Sequence, residues 1–337
     1  MFKRQFVSGL AALVCASAAS SGAVLYSQDF DVDDTANWTV NNNNLGTNAA
    51  NVYFDYSTVH IDPAPNTVGN TTRGLKIGAN LNSANAPTNT SQIPGISVSP
   101  TGQSFSGDYT LSFDWWSNYI GPLNVGATGS TMLSNYGIMS SGTAANYPGA
   151  ADGVWFSATG DGQSATDYRI YSPERQTSYD IPASGNPLDA HATYVAGSRN
   201  SSAAVYTAAF PAGAQAPADQ LKDYPSQSSS TPAGAAGFRW HEVDITKIGD
   251  IVEWRVDDKL FATLNTSTFT TGGSNILFGH SDTNNTTNTN AALLDALQFT
   301  LIDNVVVSEA AVPEPTAAAS LLAVAALAGM RRRRRGN

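Results

Sequence analysis

The residues best placed for chemistry stand on one run, Tyr109-Thr110-Leu111-Ser112-Phe113-Asp114-Trp115, followed directly by Trp116. Odd positions are apolar and even positions polar, the period of a strand with one buried face. The buried face takes Tyr109, Leu111, Phe113 and Trp115, which leaves Trp116 on the face of Asp114 and Asn118. An exposed indole beside carboxylate and amide groups stacks on a pyranose ring and hydrogen-bonds its hydroxyls. Tyr119, Trp155 and Tyr171 join this candidate ligand set. The competing reading bends the strand end and buries Trp116 under a long middle insertion.

Catalytic constellations are missing. A glycosidase needs two carboxylates across a cleft, ~5–5.5 Å apart if retaining and ~6.5–9.5 Å if inverting. The nearby pair, Glu242 and Asp244, lies two apart on one strand face with no third member. His60, His191, His241 and His280 are scattered without the spacing of a zinc motif. There is no G-x-S-x-G, and the single cysteine, Cys15, falls in the leader. No catalytic residue is therefore assigned. A hydrolase or lyase with its site in the middle of the chain is the alternative.

The elements that must position these residues are strands. Pro, Gly, Asn, Ser and Thr punctuate the chain every ten or so residues, and β-branched and aromatic runs fill the gaps. Beyond 109–115, strands are predicted at 52–56, 75–77, 153–158, 168–171, 238–245, 276–278 and 299–307. The alternating run 251–256, a turn at Asp257-Asp258-Lys259 and a return over 260–264 predict a hairpin. Val252, Trp254 and Val256 share its inner face, and Glu253 and Arg255 its wet face. The Asn/Thr-rich stretches 41–51, 80–91 and 283–290 and the Ala/Ser/Pro-rich stretch 172–237 read as long connections. Within the last, 188–195 and 202–210 are expected to add a short helix or strand.

Four segments carry a resemblance. Trp240-His241-Glu242-Val243-Asp244-Ile245, then Val252-Glu253-Trp254-Arg255-Val256-Asp257-Asp258-Lys259, then Ile276-Leu277-Phe278-Gly279-His280, then Ile302-Asp303-Asn304-Val305-Val306-Val307 resemble the second half of a concanavalin-A/laminin-G-like jelly roll. Asp258 stands where that hairpin usually has glycine, a turn position Asp tolerates. Asp29-Phe30-Asp31 with Trp38 resembles the opening strand of extracellular carbohydrate-binding modules. The resemblance covers 238–308 and 24–60. It implies an all-β, two-sheet antiparallel jelly-roll sandwich and a structural Ca²⁺ tying first strand to last, with Asp303 and Asp29 or Asp31 as ligands. The alternative for Asp303 is capping or pairing at the strand end.

Both ends speak of export. Lys3 and Arg4, an apolar core over 7–19 and Ser21-Gly22-Ala23 read as a signal peptide, 1–23, with signal peptidase expected to cut after Ala23 and cleavage after Ala18 or Ala19 as the alternative. At the other end, 309–337, come Pro313-Glu314-Pro315, an uncharged stretch 316–330, and five arginines beginning Arg331-Arg332. This tripartite tail resembles the PEP-CTERM sorting signal of bacterial exported proteins, which implies processing by an exosortase. Fifteen helical residues span only ~22 Å, so Arg331 is expected to snorkel toward the cytoplasmic face.

Formal charge is −10 for the whole chain, from 17 basic and 27 acidic residues. The leader takes two basic residues, and the tail five arginines and Glu314. That leaves 10 basic against 26 acidic residues over 24–311, about −16. Such a surface argues against nucleic acid and anionic membrane as ligands, so membrane contact is expected only through 316–330 before processing.

The domain 24–308, with its insertion at about 172–237, is thus expected to be a non-catalytic protein of the cell surface or extracellular matrix. Polysaccharide is its expected partner. A purely structural surface role is the remaining alternative. Replacing Pro313-Glu314-Pro315 by alanines should leave an unprocessed membrane form, read by fractionation and immunoblotting. Normal processing of that variant would overturn the sorting reading.

Overall fold

The computed structural model describes residues 22–89, 91–120, 132–227, 230–283 and 291–310. The leader, the Pro-Glu-Pro segment, the 316–330 stretch and the arginine cluster lie outside them. No helix among the described residues is long and apolar enough to cross a membrane. Contacts group Ala23–Ala310 as one unit.

Fifteen strands follow one another: β1 (Val24–Gln28), β2 (Trp38–Asn42), β3 (Ala49–Asp55), β4 (Arg73–Gly78), β5 (Gly95–Pro100), β6 (Tyr109–Asn118), β7 (Met132–Ser140), β8 (Val154–Ala158), β9 (Tyr168–Tyr171), β10 (Ala192–Tyr194), β11 (Trp240–Ile248), β12 (Ile251–Val256), β13 (Lys259–Asn265), β14 (Asn275–Asp282) and β15 (Phe299–Glu309). They form two antiparallel sheets. One runs β10-β13-β12-β11-β6-β15-β4-β3 with β1 added against β15, and the other β2-β5-β14-β7-β8-β9. The expected two-sheet sandwich is what the chain forms.

Alternation explains the core. Tyr109, Leu111, Phe113 and Trp115 all point inward, where they meet the inner face of the six-stranded sheet. Phe113 lies 5.0 Å from Phe278 and Trp115 5.4 Å from Tyr136, edge to face. Val252, Trp254 and Val256 are buried while Glu253 and Arg255 stay half-exposed, as the hairpin pattern requires. Its turn is tighter than expected: Val256 pairs with Lys259, leaving only Asp257 and Asp258 as loop. Both have left-handed φ, 47° and 62°. This backbone matches the right-handed twist of a two-residue hairpin.

The long insertion is not a separate layer. Residues 188–195 hold a 3-10 turn and β10, which extends the nine-stranded sheet beyond β13, and 202–210 contain the short helix α1 (Ala204–Ala209). Tyr206 and Phe210 pack on Phe261, at 5.0 and 5.8 Å, and so close the end of the main core.

Two expectations about tryptophans need correction. Trp116 does share a face with Asp114 and Asn118, but that face is covered. Its ring is only 7% exposed, within a second cluster built from Tyr56, Val59, Ile61, Tyr119, Phe238 and Leu301. Segments 54–61 and 214–221, with Phe238, supply the cover. Asn118 is buried as well, accepting from Trp116 Nε1 at 3.2 Å and donating to the Leu297 carbonyl at 2.7 Å. Tyr119 is buried against Phe238 and donates to the Ser230 carbonyl. Trp155 lies on the outer face of the six-stranded sheet, yet it is fully buried and stacked on Tyr171 at 3.8 Å.

Trp116→Ala should therefore destabilise as a core truncation does, by ~3–5 kcal/mol, and match Trp115→Ala. Urea midpoints decide it. A Trp116 variant within about half a kcal/mol of the parent would restore the exposed ring.

Candidate functional site

Register on the nine-stranded sheet brings together residues far apart in sequence. Asp303 on β15 pairs with Asp114 on β6, and Asp114 with Glu242 on β11, so three carboxylates form a row across the outer face. The next row is Val306, Ser112 and Asp244. Like charges placed directly opposite repel. The inner two are also fully buried, so hydrogen-bond donors must surround them.

The loop after β3 and a bulge in β15 bring those donors. Asn66 donates to Asp114 twice, from its backbone N–H at 3.1 Å and from Nδ2 at 2.9 Å. Pairing of β15 slips between Asp303 and Val306, where Asn304 adopts a left-handed φ of 51°. A bulge of this kind re-aims a side chain. Asn304 Nδ2 reaches Asp114 Oδ2 at 2.8 Å and Thr67 Oγ1 at 2.9 Å. Asp303 accepts from Tyr56 Oη at 2.9 Å, Thr67 Oγ1 at 3.2 Å and the Asn304 N–H at 2.7 Å.

Burial pushes Asp303 up to about 7, against the pull of these donors, and Asp114 adds to the push. Asp114 is raised by burial, offset by Asn304 and Asn66. Glu242 is raised by burial and then by the charges of Asp244 and Asp114. Asp244, accepting from Ser112, is raised by burial too.

Above this row opens a cleft of about 300 Å³, lined by Gln28, Asp29, Asn66, Ser112, Glu242 and Asn304 among others. β1 forms its far wall, because Gln28 pairs with Val305. Trp240 sits two residues before Glu242 on the same face and is the one tryptophan of six left half-exposed. Its ring rests on Tyr56 at 5.4 Å and Trp116 at 5.8 Å, and its Nε1 donates to the Asp62 carbonyl. Amides, carboxylates and a partly exposed indole thus meet on one surface, a set suited to sugar hydroxyls.

Of the expected ligand residues, Asp114 lies directly under this cleft but has both oxygens taken. Trp116, Asn118, Tyr119 and Trp155 are buried elsewhere. Glu242 and Asp244 are placed on one face as alternation implied. Asn66, Gln28, Asn304 and Trp240 were not anticipated, and only the Trp240-x-Glu242-x-Asp244 alternation hinted at one of them.

Asp303 is sealed beneath the cleft with donors on both oxygens, while Asp29 is exposed at its mouth and accepts from the Asp31 N–H at 3.1 Å. Among the described residues no three His, Cys, Asp or Glu side chains are placed to hold a metal. The histidines stay apart: His60 meets Asp223 at 2.6 Å, His241 meets Asp257 at 2.7 Å, and His280 is buried and pushed down to about 3.

No family model and no curated protein matches the chain. Solved structures resemble it in fold. A Bacillus subtilis protein with a galectin-like fold is 9% identical, over 86% of this chain and 97% of that one, with a TM-score of 0.42. The carbohydrate recognition domain of Emp47p is 12% identical over 87% and 99%, TM-score 0.39. Carbohydrate-binding module CBM66 from Bacillus subtilis is 10% identical over 81% and 95%, TM-score 0.35. At such identities and scores, a functional reading has to rest on this chain's own residues.

Asp303 titrates near 7 in the folded chain against an ordinary 3.8, so the folded state binds its proton more tightly. Its contribution is complete below about pH 4 and is lost as pH rises through 7. Asp303→Asn removes that slope. The variant should therefore gain on the parent by up to ~4 kcal/mol between pH 4 and pH 8, read from urea midpoints. A pH-independent difference would show that Asp303 is not held protonated.

Proposed function

We propose that this is an exported, non-catalytic glycan-binding protein of the bacterial cell surface or extracellular matrix, gripping polysaccharide in the cleft between β1 and β11. The observation that carries the reading is the convergence of Gln28, Asn66, Asn304, Asp29 and Glu242 in one cleft, with the half-exposed Trp240 two residues before Glu242 on the same strand face. Amides and carboxylates on a rigid sheet can accept from and donate to neighbouring hydroxyls at once. Export and sorting rest on the signal peptide and the Pro-Glu-Pro tail, with signal peptidase and an exosortase as processing partners.

Binding without catalysis is favoured by the state of the carboxylates. Glycosidic cleavage needs a second free carboxyl facing the first. Cross-strand from Glu242 is Asp114, whose oxygens are held by Asn66 and Asn304; Asp244 is held by Ser112, and Asp29, the other carboxylate lining the cleft, accepts from the Asp31 N–H.

A glycan array probed with full-length protein in a non-glycosidic detergent tests the reading. At least one polysaccharide should bind, and Glu242→Ala should weaken it tenfold or more, since hydrogen bonds to a charged group are worth ~1.5–3 kcal/mol. The melting temperature should hold, because the Glu242 side chain is exposed. Absence of binding to every glycan would leave the structural surface role.

A further inference from the structure

Building on the glycan-binding reading of the cleft, we propose that its preferred ligand is a polysaccharide carrying free amino groups, of glucosamine type, and that it rejects uronic-acid polymers. Asp29 and Glu242 line the cleft, Asp244 follows Glu242 on the same face, and Asp114 lies beneath. Four cations of this sheet are held by other partners, and Lys259 stands exposed at the start of β13. Arg255, cross-strand from Asp244, is held by Glu253 at 2.9 Å. Arg73 pairs with Asp55, Lys76 donates to the Asp295 carbonyl, and Lys247 donates to the Gly107 carbonyl.

No lysine or arginine lines the cleft itself, which therefore carries a net negative field. Mutual repulsion is visible in the upward push of Asp244 and Asp114 on Glu242; on Asp244 the push of Asp258 is opposed by the pull of Arg255. A sugar ammonium would relieve that repulsion, and a uronate would add to it. Gln28, Asn66 and Asn304 also line the cleft; their amide nitrogens already donate to Asp34, Asp114 and Thr67, so neutral hydroxyls, which an amino sugar also has, are read by their carbonyl oxygens as acceptors.

Full-length protein in a non-glycosidic detergent should be titrated with chitosan oligomers, chitin oligomers of equal length and polygalacturonate at near-physiological salt. The pH should keep the sugar amine protonated and Glu242 ionised. Chitosan should bind about tenfold more tightly than chitin, with polygalacturonate not binding. Glu242→Gln and Asp29→Asn should each lower chitosan affinity severalfold and leave chitin affinity within about twofold. Glu174→Gln makes the same charge change at an exposed turn after β9, on the other sheet, and should alter neither.

Chitin binding as tight as chitosan would overturn the amino-sugar preference and leave the glycan reading standing. Equal loss of chitosan binding in the Glu174 and Glu242 variants would also overturn it, showing attraction to net charge alone. Failure to bind these polymers or any other glycan would remove the cleft reading and the preference with it.

Discussion

Asp114 and Asp303 face each other across neighbouring strands, both fully buried, and two carboxylates so placed repel unless donors enclose them. Enclosing them takes the segment 56–67, through Tyr56, Asn66 and Thr67, and the bulged Asn304 of the last strand. A loop nearly 240 residues away in sequence from β15 is thereby fastened to the outer face of the sheet. That fastening roofs the upper part of the face and stops short of the lower part, where the cleft remains. The position of the cleft is thus a consequence of where two buried carboxyl groups find their hydrogen-bond partners.

Apolar packing completes the roof. Trp116, Leu301 and Phe299 stand on the outer face above the carboxylates, and they would be wet if the sheet ended there. Segments 54–61 and 214–221, with Phe238, cover them. The nine-stranded sheet accordingly carries two apolar layers, the main core below and a smaller one above. Polar anchoring and apolar cover support each other: Tyr56 belongs to both, its ring packed in the upper cluster and its hydroxyl on Asp303. Burial raises the Tyr56 phenol, and the carboxylate beside it raises it further, so it stays a donor.

The cleft inherits its chemistry from this arrangement. Glu242 ends the carboxylate row at its exposed side, and the amides that quiet Asp114 also line the opening. Asn66 and Asn304 each serve twice, as structural donors and as part of the cleft wall. Such anchoring holds polar groups in place before a ligand arrives, which lowers the ordering cost of binding. Trp240 is similarly fixed, between Tyr56, Trp116 and the Asp62 carbonyl.

The sequence by itself determined the class of fold and the inner faces of its strands. Alternation in 109–115 and 251–256 depends only on neighbours along the chain, because successive side chains in a strand point to opposite faces. It also put Glu242 and Asp244 on one face, and the composition of 24–311 carried the acidic charge of the surface. What covers the outer face was decided by tertiary structure alone. Whether Trp116 meets water depends on segments 54–61 and 214–221 and on Phe238, which have no periodic tie to β6. The choice of Trp240 over Trp116 as the half-exposed ring, and the placing of Asp303 beneath the cleft with Asp29 at its lining, have the same origin. Long-range pairing and a bulge at Asn304 set both, and neither leaves a local pattern in the chain.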